Sequence, residues 1–502
     1  MTKIIIIGSG IGGSGVGALI SKETNHDLTL YEQATILGGR CASYIKKDNQ
    51  GRNWKFDVGC HIFSTGEKGP LGEILRRIDK PLKWSLTRNP GPRIIVMGMD
   101  MSKRIADISK KKGEGKGKSE ADVKPSYFRD LEAMSMEETH NYDYVPLTKF
   151  LDAYFGSGKA VSQKMMYSMQ AGVMHGVGAE EVSAGEYIRC AADNARSYSM
   201  GYPYGGTGAI PEAYCAAIRE KGNQVFIGKE GQVHKIVVDD GVVKGVEVGK
   251  DKEFQEAEIV IANSDIKTTV FKLVGEKHFN QEYLHYIKKL TWGGMVCSLK
   301  LGLDKVMTDQ KMLTYVGRIG DMKTSFMAAM LQPGIDIDPT KLPIPEKTVL
   351  FVVPISNHDP ALAPPGCQNI HVVSPTSYGR MVLWDKEGDK KWEQACINTL
   401  KEFLPDIEDH IVVRDFVSTS YLNAYFGKEG AAIGVAQSID QIGAKRPSQI
   451  SPIKGLYNCS FDVGRTAWGI GTEAAARAAL DLFEVLQRNN FANDRIYGTN
   501  PI

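Results

Sequence analysis

Residues 4–20 read "IIIIGSGIGGSGVGALI", and the reading of this stretch decides the fold. The run from Ile4 to Ile7 is continuously apolar and β-branched, the pattern of a strand buried on both faces of a parallel sheet. Gly8, Gly10 and Gly13 follow at once, and the chain continues as a helix. A strand, a glycine turn and a helix in that order make a dinucleotide-binding motif, where glycines alone would not. Gly8 permits the tight turn, Gly10 lets the backbone approach a pyrophosphate, and Gly13 lets the helix lie close on the strand. The helix N-terminus offers N–H groups and the positive end of its dipole to phosphate. The second strand, "DLTLYE" (27–32), ends in Glu32, 19 residues beyond Gly13. At that spacing an acid meets a ribose hydroxyl, and a carboxylate there argues against a 2′-phosphate.

The rest of the 502-residue chain has ordinary globular composition, 42% hydrophobic and 24% charged, with room for two or three domains. A formal charge of +2 gives no basic field for nucleic acid. No apolar run approaches the roughly 20 residues that span a bilayer. Glycines break the first apolar run too early for a signal peptide. The eight cysteines include no C-x-x-C pair, which argues against structural zinc, an iron–sulfur cluster or a disulfide framework, and no metal site is expected. These features suit a cytoplasmic protein with reduced thiols. Two segments raise peripheral membrane contact: a helical stripe at 69–90 flanked by Arg76, Arg77, Lys80 and Lys83, and the lysine-rich "KKKGEGKGK" at 110–118. A core helix and an exposed flexible loop are the plainer readings of the two.

Just after Glu32 comes "QATILGGRCASY" (33–44), in which Gly38, Gly39 and Arg40 can bring a second loop to the same pyrophosphate. Here the sequence resembles the flavoproteins with two dinucleotide-binding domains, which implies FAD in place of NAD. Further on, a turn at Pro203–Gly206 leads into another helix and strand. "EGQVHKIVVDDGVVKGVEV" reads as a hairpin about its DDG turn, and "EAEIVIANSD" as a buried strand. The stretch at 130–200 reads as mainly helical. Near the end, "GLYNC" reads as a strand, and Gly469–Gly471 opens a helix at Thr472.

Taken in order, these segments resemble the phytoene desaturase family, with its relatives carotenoid isomerase and retinol saturase. The glycine stretch, Glu32 and "GGR" (38–40) carry the likeness, with "FDVG" (56–59), "YPYGG" (202–206), "GQVHKI" (231–236) and "NSD" (263–265). "HDPALAPPG" (358–366) and "GLY…GIGTEAA" (455–475) are its more specific parts. The resemblance implies an α/β fold, with a discontinuous Rossmann-type FAD-binding domain (1–70, 200–290 and 425–502) and an inserted α+β substrate domain (71–199 and 291–424). It implies that Gly8, Ser9, Gly10, Gly12 and Gly13 surround the pyrophosphate and that Glu32 holds the adenosine ribose. Gly39 and Arg40 would approach the phosphates and flavin, and the backbone of Val233 would meet the adenine. Asp462 would bind the pyrophosphate or ribityl chain, and Gly471 and Thr472 would stand at the flavin O2 side. Asp462 comes one residue later than the family's Gly-Asp.

The chemistry implied is hydride exchange at flavin N5 with a carbon–carbon bond of a polyene or isoprenoid lipid, as desaturation, saturation or cis–trans isomerisation. His61 is the catalytic candidate, because imidazole can move the accompanying proton near neutral pH. Carotenoid desaturases usually lack a histidine there and retinol saturases carry one, which leaves the direction open. A buried histidine satisfied by backbone is the alternative reading of His61. "FLDAYF" (150–155), "KMMYSM" (164–169) and "SFMAAMLQ" (325–332) are material for an apolar pocket, or simply core. No second strand–glycine–helix unit for NAD(P)H is evident, so a quinone, oxygen or a carrier protein is the expected electron partner. The rival is an amine-oxidase-like flavoenzyme with a small polar substrate.

Overall fold

The Lys3–Ile7 strand lies at the centre of a five-stranded sheet, and its isoleucines are covered on both faces. The computed structural model describes residues 1–59, 61–88, 90–96, 98–100, 126–317, 343–377, 383–464 and 471–491. Across the sheet the strands run Leu456–Asn458, Ile259–Ala262, Lys3–Ile7, Asp27–Glu32 and Gln224–Ile227, all parallel to their neighbours. Strand periodicity splits the apolar run between two cores. Ile4 and Ile6 pack with Val16 and Leu19, Ile218, and Ala476 and Phe483, from three helices: Ile11–Glu23, Ala209–Glu220 and Gly471–Arg488. Ile5 and Ile7 pack with Val246 and Val248 of a three-stranded meander, Val233–Asp239, Val242–Val248 and Glu253–Glu256. This is the Rossmann-type α/β arrangement, drawn from well-separated parts of the chain.

A second sheet has seven strands, in the order Ile411–Val417, Met295–Leu303, Gln368–Ser377, Leu350–Val353, Leu313–Val316, Arg93–Val96 and Met99–Asp100. It is antiparallel except where Leu313–Val316 meets Arg93–Val96. Leu299, Leu301 and Leu303 point to one face and pack on Trp392, Cys396 and Leu400 of the Lys386–Leu400 helix. The opposite face receives the hairpin formed by Ser43–Lys47 and Asn53–Asp57. Gly302 lies so close beneath Trp54 that a Cβ there would stand 2.7 Å from the ring.

Helices between Ser126 and Ser197 form a third body around Phe150, Leu151, Tyr167 and Tyr187. Two of the stretches proposed as pocket wall therefore place those residues in core, while 325–332 lies outside the described residues. The stripe at 69–90 is also corrected. Its helix covers only Pro70–Arg77, Asp79 takes a left-handed φ of 57°, and Trp84–Leu86 pairs as a strand with Gly201–Pro203. Leu71, Ile74, Leu75 and Ile78 are buried, so the apolar stripe faces the core. Arg77 pairs with Glu23, and Lys80 with Glu220. The 110–118 segment lies outside the described residues. Among those residues no helix is long and apolar enough to cross a membrane.

Candidate functional site

The first glycine turn is built by backbone. Gly8 has φ +96°, which a side chain would strain, and its N–H donates to Tyr31 O at 2.7 Å. Gly10 is the N-cap of the Ile11–Glu23 helix and brings no side chain to cap it, so the first-turn N–H groups are left for an anion. Gly12 and Gly13 are demanded by packing: a Cβ would stand 1.9 Å from Cys459 O at the first and 2.2 Å from Gly8 O at the second. The missing side chain of Gly12 thus admits a neighbouring carbonyl.

The second glycine turn meets the first. The Gly38 N–H donates to Ser9 Oγ at 2.9 Å, and a Cβ on Gly39 would stand 3.9 Å from Gly10 Cα. Glu32 is buried beside them. Its Oε2 accepts from Ser9 N at 2.8 Å and Ser9 Oγ at 2.7 Å, and its Oε1 from Ala34 N at 2.8 Å. A carboxylate has about four acceptor positions, so one remains for a hydroxyl. Gly231 comes so near Glu32 that a Cβ would stand 2.3 Å from its carbonyl oxygen, and Val233 follows against the stacked rings of Tyr31 and Phe226. An uncapped helix end, an acid with spare acceptor capacity and an apolar wall together fit the phosphates, ribose and base of a dinucleotide.

Arg40, Asp462 and Gly471 converge on the 431–435 segment. Arg40 Nη1 donates to the carbonyls of Ala432 and Ile433. Gly471 begins the last helix, with Ile433 3.7 Å from the position its Cβ would take, and Thr472 follows in the first turn. Asp462, expected at the pyrophosphate or ribityl chain, is held by the chain's own groups. It is fully buried, bonded by Lys428 Nζ at 2.9 and 3.0 Å and by the Val435 N–H at 2.9 Å. Burial works to raise its pKa, but Lys428, the Val435 N–H and Arg40 outweigh burial and hold the carboxyl below its ordinary range. Its observed role is to anchor the segment that Arg40 grips. Glu473 acts similarly, accepting from Thr65 N, Thr65 Oγ1 and Gly66 N, which ties the last helix to the loop just after His61.

The family-like motifs are interlocks. Asp57 of "FDVG" is buried and accepts from Ser43 Oγ, Thr207 N and Tyr202 Oη. Asp359 of "HDPALAPPG" accepts from the Gly205 N–H at 2.7 Å. Together the two acids clamp the "YPYGG" turn between the hairpin and the seven-stranded sheet. His358 beside it is a structural histidine, its Nε2 3.0 Å from Lys311 O and its Nδ1 3.2 Å from Ser85 Oγ.

His61 is buried where these parts meet. Its Nε2 lies 3.5 Å from Ser298 Oγ and its Nδ1 3.4 Å from His371 Nδ1. Both partners stand on the seven-stranded sheet. Lys300 of the same face is fully buried as well. Sequence reasoning missed Lys300, His371, Lys428 and Glu473. The alternation in "MVCSLKLGL" (295–303) marks a strand but would turn Lys300 to solvent, and nothing local signals the others.

Residues 6–78 match the family model described as NAD(P)-binding Rossmann-like domain. The phytoene desaturase (lycopene-forming) of Pseudescherichia vulneris is 23% identical over 291 residues, which cover 57% of this chain and 56% of that protein. The human all-trans-retinol 13,14-reductase is 30% identical over 119 residues, 23% of this chain and 18% of that protein. The chain therefore spans little more than half the length of the first relative and less than a fifth of the second. Among solved structures, an oxidoreductase from Methanosarcina mazei is similar with TM-score 0.64 and 18% identity, over 96% of this chain and 100% of that one. Cyclohexylamine oxidase from Brevibacterium oxydans is similar with TM-score 0.57 and 13% identity, over 97% and 100%. The likeness to these structures is one of fold.

Proposed function

We propose that this chain, a member of the phytoene desaturase-like family of oxidoreductases, is an FAD-dependent enzyme acting on carbon–carbon bonds of a polyene or isoprenoid lipid. The observation that carries the reading is the meeting of two glycine turns above an uncapped helix end, with Glu32 beside them and His61 where the two sheets join. The helix N-terminus and the Gly8–Gly13 turn would hold the pyrophosphate, Glu32 the ribose, and Val233 the adenine. Arg40, Gly471 and Thr472 would border the flavin. We assign the cofactor domain to 1–70, 200–290 and 425–502, and the substrate domain to 71–199 and 291–424. Bound FAD would supply hydride acceptance or donation at N5. His61 would hold or release the proton that accompanies hydride transfer, and the buried seam would keep water from the reacting carbons. A quinone, oxygen or a carrier protein would exchange electrons with the cofactor unless the reaction is a redox-neutral isomerisation.

The test is anaerobic incubation of purified protein with polyprenoids and carotenoids, with the flavin oxidised and then prereduced, followed by product masses. Loss of two hydrogens identifies a desaturase, gain of two a saturase, and unchanged mass with altered retention an isomerase. Buried Lys300, beside His371 in the sheet, lends support to a second reading, an amine-oxidase-like enzyme with a small polar substrate. Turnover of a small amine with no change in any lipid would replace the first reading with the second.

A further inference from the structure

Lys300 is among the largest fully buried side chains, and among the described residues its ammonium has no hydrogen-bond partner. In the sheet it lies directly opposite Asp415 on one neighbouring strand and His371 on the other. His371 is equally buried, with Nε2 unpartnered and Nδ1 3.4 Å from His61 Nδ1. The His61 and His371 rings meet edge to face at 5.2 Å, and Phe56 stacks on His371 at 5.8 Å. The remaining groups around the cluster are already engaged. Asp415 accepts from Tyr44 Oη and pairs with Lys46, and Asp57 accepts from Ser43, Tyr202 and Thr207. The Lys300 ammonium lies 5.7 Å from the centre of the Tyr44 ring. Unpartnered basic groups are costly to bury, so their retention in one place calls for a reason.

We propose that His371 and Lys300 are positioning residues for His61: His371 fixes which nitrogen of His61 carries the proton, and the Lys300 ammonium keeps the histidine pair from taking up another. The inference rests on the reading of His61 as the proton-handling group.

Among the described residues His371 Nε2 has no acceptor to receive a proton, so the proton of a neutral His371 belongs on Nδ1, directed at His61 Nδ1. His61 then accepts there and carries its own proton on Nε2, on the Ser298 side. A charged lysine within the same dry cluster repels any extra proton on either ring. The electrostatics agree. Burial, helped by His61 and Lys300, holds the His371 pKa well below its ordinary value. Burial brings Lys300 down to about 8 against the pull of Asp415 and Asp57.

The test is NMR titration of ring-labelled histidines in the full-length protein as purified, without substrate, comparing wild type with Lys300→Met, His371→Leu and His371→Asn. Lys300→Met should raise the proton affinity of the histidine pair at least tenfold. His371→Leu should convert His61 from the Nε2–H tautomer to a mixture, and His371→Asn, whose amide can still donate, should restore it. Melting curves check that each variant is folded. Should Lys300→Met not fold, Lys300→Gln gives the same titration. Unchanged His61 tautomer and affinity in folded Lys300 and His371→Leu variants would overturn the inference. Because no substrate is present, inertness towards every lipid would defeat the proposed activity and leave these titrations standing. Lipid turnover with unmoved titrations would do the reverse.

Discussion

The five-stranded parallel sheet and the inner face of the seven-stranded sheet meet at one seam, and they are built on opposite principles. Around the first, the chemistry lies in the backbone: an uncapped helix end, two glycine turns, and positions such as Gly12 where a side chain has no room. Around the second it lies in side chains, with His61, Ser298, Lys300 and His371 drawn from three segments. A backbone site needs a local sequence pattern, because turn and helix must follow one another. A side-chain site needs only convergence in space, so its members can be hundreds of residues apart.

The largest effect is expected at the buried ion pair that anchors the segment gripped by Arg40. The Lys428–Asp462 pair is buried on both sides, at 7% and 0% exposure. Lys428→Met leaves Asp462 charged in a dry site with only N–H and hydroxyl partners. It should lower unfolding stability by about 3–5 kcal/mol in urea melts. Replacing Asp462 by Leu as well should recover much of that loss, since a buried pair exchanged for apolar groups is often tolerated. A single variant as stable as wild type would mean that the segment gripped by Arg40 does not depend on this anchor.

The backbone region should answer differently. Gly12→Val forces a side chain into the Cys459 carbonyl, which lies 1.9 Å from the Cβ position. The helix must move off the sheet, at a cost of about 3 kcal/mol, and its N-terminus moves with it. On the proposed reading that FAD is held there, the purified variant should lose it, read from visible absorbance, while the His61 cluster keeps its titration. Retention of flavin with unchanged melting would show that the turn tolerates displacement, and would undo the contrast between the two regions.

What was legible in the sequence follows the same division. The strand, the glycines and Glu32 could be read because each constrains its immediate neighbours, and the structure gathers them around one helix end. "FDVG", "YPYGG" and "HDPALAPPG" stood out as words without an evident use. Their use is mutual, since Asp57 and Asp359 both clamp the turn at 202–206. Asp462 was read by its place in a tail motif, yet its partner Lys428 lies 34 residues away with no signal of its own. Lys300 was hidden by its type: a lysine alternating with leucines in a strand reads as the solvent face. Here that face is covered by the Ser43–Asp57 hairpin, a segment with no sequence proximity to it. The stripe at 69–90 misled because periodicity continues past Arg77, while the left-handed Asp79 ends the helix.

The smallest expected effect tests whether the seam is sensitive to acid. His358 Nε2 stands 3.0 Å from Lys311 O, and its Nδ1 stands 3.3 Å from Ser85 O and 3.2 Å from Ser85 Oγ. Burial lowers its pKa to about 4. His175, buried in the helical body, is also lowered to about 4, again chiefly by burial. In the unfolded chain each takes up a proton near the ordinary value of about 6.5. Between about pH 6.5 and 4 the unfolded state therefore binds more protons, and stability falls as pH falls through that window. Above it neither group contributes. His358→Gln keeps a donor and an acceptor but cannot titrate, so it should lose about 2 kcal/mol less than wild type between pH 7 and pH 4.5. Urea melts at the two pH values measure the difference. An equal loss in both proteins would assign the acid-sensitive step to another buried histidine, His371 in the seam or His175 in the helical body, and His371→Asn and His175→Gln would tell the two apart.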